Sequence, residues 1–98
     1  MNIYKEKEGT NFIISLEGRL DTTTSPELEK VIKEETAGVS FLKLDLSKLQ
    51  YISSAGLRVL LSAQKLMNKQ GELLITGCSE DIMEIFDMTG FSDILSIG

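Results

Sequence analysis

Tyr51–Leu61, YISSAGLRVLL, changes its periodicity in mid-course. Upstream, Phe41–Leu46 (FLKLDL) alternates apolar residues with Lys43 and Asp45, the period-two pattern of a strand, and Leu49 and Tyr51 carry the chain to the junction. Downstream, Leu57, Leu60 and Leu61 recur at helical spacing. The stretch is therefore a strand-to-helix turn. Ser53 and Ser54 fall inside it, where hydroxyls lie beside unpaired backbone N–H groups at the positive end of a helix dipole. That is a natural place for a negative charge.

The helix that follows runs from about Ala55 to Gln70 and is closed by Gly71. Arg58, Ser62, Lys65 and Lys69 share one polar sector, while Leu57, Val59, Leu60, Leu61, Ala63, Leu66 and Met67 spread over most of the rest. So wide an apolar surface is either covered by neighbouring helices or left partly open as a docking flank. Beyond it, Glu72–Thr76 (ELLIT) reads as a strand ending at Gly77. Ser79 then caps a helix with Ile82, Ile85 and Phe86 on one face, ending at Gly90. Residues 91–97 are short and apolar and allow a last strand.

Toward the amino terminus, Ile3–Lys7 and Asn11–Glu17 flank a Glu8-Gly9-Thr10 turn and form a hairpin, with Phe12, Ile14 and Leu16 on one face and Ile13 on the other. Gly18 ends the second strand, and residues 19–24 form a polar loop. Ser25 is the expected cap of a helix with Pro26 in its first turn and Leu28, Val31 and Ile32 as its buried stripe, stopped by Ala37-Gly38. The expected architecture is α/β. A hairpin is followed by βαβαβα and an optional final strand, giving a mostly parallel sheet of four to five strands with helices packed on it, one domain over residues 1–98. Asp21 and the two serines then converge at the carboxyl ends of neighbouring strands, where such sheets carry their functional loops.

Composition narrows the chemistry. A net charge of −5 argues against direct nucleic-acid binding, which needs a basic face. The longest apolar runs fall well short of the ~18 residues that span a bilayer, and MNIYKEKEGT has no signal core, so no membrane insertion and a cytoplasmic location are expected. The single cysteine, Cys78, fits a reducing compartment. With no histidine, Ser-His-Asp and Cys-His pairs are unavailable and the usual zinc sets lose their nitrogen donor; GxxxxGK[ST] and GxGxxG loops are absent too. The expectation is a protein that is not an enzyme, with no metal site. On residue physics alone, Ser53 and Ser54 read equally as helix caps, worth about 1 kcal/mol, or as functional hydroxyls.

The segment LDLSKLQYISSAGLRVLLSAQKLMNKQGELLITG resembles the signature of the STAS domain, in particular the bacterial anti-sigma factor antagonists. LEGRLD resembles that family's second strand with its following acidic residue, and IFDMTGF its third-helix ending. The similarity runs over essentially the whole chain. It implies a phosphoacceptor at Ser54, two positions before Gly56, with Ser53 as second choice, and a partner-binding region comprising Asp21, Thr22, Ser53, Ser54, Gly56, Leu57, Arg58 and Leu61. Ser53 stands where the family often has Asp, and Arg58 where a small residue is common.

The implied role is that of an anti-sigma factor antagonist in a partner-switching circuit. Its unphosphorylated form binds an anti-sigma factor that is also a serine kinase and so frees the sigma factor. Phosphorylation of Ser54 breaks the complex, and a serine phosphatase resets it. The chain needs no cofactor of its own, since ATP is used by the partner kinase. The alternative is a stand-alone STAS subunit of another assembly, a lipid-transport complex or a partner switch that controls something other than a sigma factor.

Overall fold

A computed structural model describes residues 1–98. The strands are β1 (Asn2–Glu8), β2 (Asn11–Leu20), β3 (Phe41–Ile52) and β4 (Glu72–Thr76); the helices are α1 (Ser25–Glu35), α2 (Ser54–Asn68) and α3 (Glu80–Thr89). The sheet order is β1-β2-β3-β4, with β1 antiparallel to β2 and the other pairs parallel. Gly9, at φ 60°, makes the two-residue turn that pairs Glu8 with Asn11.

Register explains which face is buried. Phe12 pairs with Leu42 and Leu42 with Leu73, while Ile14, Leu44 and Ile75 align in the next row, so these side chains share one face. They form a single core with Leu28 and Ile32 of α1, Leu57, Leu60, Ala63 and Met67 of α2, and Ile82 and Phe86 of α3. The opposite face, with Ile13, Ser15, Phe41, Lys43, Asp45 and Leu74, stays half-buried. Lys43 and Asp45 alternate with the core leucines for that reason, and the helices all pack on the other side.

Several boundaries differ from the expectation. β3 does not stop at Leu46 but continues to Ile52, because two bulges against β2 change its inward spacing from two to three: Leu46, Leu49 and Ile52 all point into the core. The Asp45 carboxylate fastens the first bulge by accepting from the Ser47 amide at 3.0 Å, and that bond holds its pKa below the usual aspartate value. Gly18 does not end β2; at φ 104° it sits at the second register shift, and the strand goes on to the buried Leu20.

Two further corrections concern the helices and the carboxyl terminus. Ser25 is not the cap of α1 but its first residue, following Thr24, because its hydroxyl and amide both donate to the Asp21 carbonyl and draw the chain into the first turn. Residues 91–97 form no fifth strand. A 3-10 turn, Phe91–Asp93, leads to a single parallel bridge between Ile97 and Ile75, since the Ser96 amide donates to the buried Gln64 side chain at 2.9 Å and not to a strand.

Candidate functional site

The site is built where β2 and β3 end side by side. Leu20 pairs with Ile52, and the Ser53 amide donates to the Leu20 carbonyl at 2.9 Å, which locks the Asp21 loop beside the start of α2. Gly56 sets how closely that start approaches the sheet. A Cβ there would lie 2.8 Å from Leu20 Cγ and 2.9 Å from Ile52 Cγ1, both fixed in the core. Gly56→Ala should therefore lift the first turn of α2 and cost about 1–3 kcal/mol, read as a lower urea midpoint with an unchanged slope.

The two serines divide the work. Ser53 is extended, at φ −95° and ψ 174°, and its hydroxyl accepts from the Gly56 amide at 3.3 Å, so it is the cap. Ser54, the first helical residue, is exposed, and its hydroxyl has no hydrogen-bond partner in the chain. The first turn of α2 holds no acidic residue, whereas α1 has Glu27 and α3 has Glu80 and Asp81. No acidic residue of α2 itself thus faces the positive end of its dipole, beside a free hydroxyl.

Asp21 organises its own loop. Its Oδ1 accepts from the Thr23 amide at 3.0 Å, the Thr23 hydroxyl at 2.8 Å and the Thr24 amide at 3.1 Å. The Thr24 hydroxyl donates to the Arg19 carbonyl at 2.8 Å, closing the turn onto β2. The Thr23 hydroxyl and these amides hold the Asp21 pKa below the ordinary aspartate value. A depressed folded pKa means that the loop's contribution is present above the unfolded pKa and is lost as pH falls through the folded one. In an NMR titration, the Thr23 and Thr24 amides should shift together, with a midpoint below 3.8, the unperturbed aspartate value.

Thr22, Ser25, Pro26 and Glu29 face Ala55 and Arg58 across a cleft of about 270 Å³ between the starts of α1 and α2. The structure thus brings Asp21, Thr22, Ser53, Ser54 and Arg58 to one end of the molecule. Gly56 and Leu57 lie beneath them as buried packing residues, and Leu61 is half-buried one turn beyond Leu57. Two further residues at this end, Arg19 and Tyr51, lie outside the expected partner-binding set. Arg19 stacks over the Tyr51 ring at 4.4 Å and places its Nε 3.9 Å from Asp21 Oδ2. Their pairing depends on the second bulge, which no local pattern announces; the exposed Tyr51 beside Ser53 was the available signal.

The chain is similar to known proteins over nearly its whole length. A family model described as the STAS domain matches residues 2–98. The anti-sigma-B factor antagonist of Listeria monocytogenes is 32% identical over 96 residues, covering 95% of this chain and 83% of that protein. The anti-sigma-B factor antagonist of Staphylococcus epidermidis is 33% identical over 86 residues, covering 86% and 80%. Among solved structures, an anti-sigma factor antagonist from Mycobacterium paratuberculosis superimposes with a TM-score of 0.87 over 98% of this chain and 83% of that one, at 22% identity, a likeness of fold. With a match that spans the strand ends, the Ser53-Ser54 turn and all three helices, the chain belongs to the STAS domain family.

Proposed function

We propose that the protein is an anti-sigma factor antagonist switched by phosphorylation of Ser54. The observation that carries this is the division of labour between the serines: Ser53 is engaged as the cap, and Ser54 presents a free, exposed hydroxyl at a helix start whose first turn holds no acidic residue. Both relatives above carry antagonist names. In the unphosphorylated form the surface around Asp21, Thr22, Ser54 and Arg58, flanked by Arg19, Tyr51 and Leu61, binds an anti-sigma factor and releases the sigma factor. That partner is also a serine kinase. The Ser54 oxygen attacks the γ-phosphorus of the kinase's bound ATP, the bond from that phosphorus to the β,γ-bridging oxygen breaks to release ADP, and the hydroxyl proton passes to a base of the kinase. A serine phosphatase returns the chain to its binding form, and the cycle runs in the cytoplasm.

The helix start suits this role energetically. A phosphate there is favoured by the α2 dipole by a few tenths to about 2 kcal/mol, so the fold is retained and dissociation arises at the interface. The test is copurification from the native cell followed by incubation of the captured kinase with ATP and phosphopeptide mapping. The expected result is a histidine-kinase-like partner and phosphate on Ser54. Phosphate confined to another residue, or capture of a transport ATPase in its place, overturns the reading.

A further inference from the structure

We propose that phosphate on Ser54 captures Arg58 in an ion pair along α2, so that the switch withdraws a cation as well as adding an anion. The proposal rests on the reading of Ser54 as the phosphoacceptor. Ser54 and Arg58 are four residues apart on one helix, hence on the same face with Cβ atoms about 6 Å apart, and both are exposed. Helical side chains lean toward the amino terminus, so the turn that bears Ser54 is within reach of the Arg58 side chain, which in the unphosphorylated chain lines the cleft with Glu29 and Ala55.

Arg58 is placed against the local field. It stands near the positive end of a helix whose first turn has no acidic residue, and none of the chain's ion pairs includes it. The nearby carboxylates are already engaged. Glu29, which lines the same cleft, pairs with Lys33 at 2.8 Å, and Asp21 is held by Thr23, Thr24 and Arg19. Neither carboxylate forms an ion pair with the guanidinium in the unphosphorylated chain, which leaves it available to a carboxylate of the binding partner. A phosphate supplies close to two negative charges and three acceptor oxygens, a match for the guanidinium fork.

The test uses the full chain with phosphoserine inserted at position 54 during translation, in the parent, Arg58→Lys and Arg58→Gln forms, each checked for native circular dichroism. Phosphorus NMR follows the second ionisation of the phosphate. An adjacent cation favours the dianion, so Arg58→Gln should raise the midpoint by about 0.3 pH unit, Arg58→Lys by less, and molar salt should close the gap. Glu29, Asp21 and Arg19 face the site equally in all three forms and cancel. Equal midpoints in the parent and Arg58→Gln forms overturn the proposal. A second readout needs no substitution: the Arg58 Nε–H of the parent should exchange more slowly once position 54 is phosphorylated, and unchanged exchange also overturns it. Because translation places the phosphate, both results stand apart from whether a cellular kinase modifies Ser54, which the mapping experiment decides.

Discussion

Phosphoserine at position 54 should weaken binding of the anti-sigma partner at least about a hundredfold, while Ser54→Ala retains binding and takes up no phosphate at that position. The argument is one of desolvation. Ser54 is exposed in the free protein and central in the proposed interface, so a dianion there must leave water against a surface shaped for a neutral hydroxyl. Like-charge juxtaposition and the desolvation of a dianion at an interface cost several kcal/mol, and each ~1.4 kcal/mol is a factor of ten. Ser54→Asp should show a smaller loss, since one carboxylate carries half the charge and fewer acceptors than phosphate. Ser53→Ala supplies the contrast: it removes a cap, lowers stability by about 1 kcal/mol and leaves the phosphorylation site in place. Titration calorimetry with the purified partner measures all four forms. Undiminished affinity of the phosphoserine form would remove the interface switch.

The largest loss of stability is expected from Gly71→Ala. Gly71 links α2 to β4, and a Cβ there would sit 1.9 Å from the Ser40 carbonyl oxygen. That oxygen cannot retreat. It accepts from the Glu72 amide at 2.9 Å, and the Ser40 and Phe41 amides both donate to the Thr10 carbonyl, at 2.9 Å and 3.3 Å. The clash is backbone against backbone, with no rotamer to relieve it, and it falls where the β3–β4 ladder begins at Phe41 and Glu72. A loss of about 3 kcal/mol or more follows, a large share of the 5–15 kcal/mol that holds a small domain together. At roughly 4–8 °C per kcal/mol for a chain of this size, Tm should fall by more than about 12 °C. Calorimetry showing a drop of only a degree or two would mean that the α2–β4 connection bends more readily than its hydrogen bonds indicate.

The local features were legible because each has a local cause. The hairpin, the bounds of β4, the Ser79 cap and the end of α3 at Gly90 follow from alternation, capping chemistry and a left-handed glycine at φ 79°. What local alternation does not reach is the last three residues of β2 and the second half of β3. In β3 the core spacing changes from two to three, and a period-two pattern ends the strand at the last clean alternation, Leu46. The same bulges hid Arg19 and Tyr51 from the candidate site, since their adjacency comes from a shifted register.

The sequence by itself determined the order of elements, the strand-to-helix turn at Ser53-Ser54 and the family pattern, because these depend on side-chain type and spacing within a few residues. Which serine caps and which stays free was decided by tertiary structure. The Leu20 carbonyl takes the Ser53 amide and Leu20 and Ile52 leave room only for glycine at position 56, which holds Ser53 in extended backbone and turns its hydroxyl to the Gly56 amide. Two serines that are chemically identical in the sequence are thus made different by contacts between strand ends more than thirty residues apart, which no local spacing encodes.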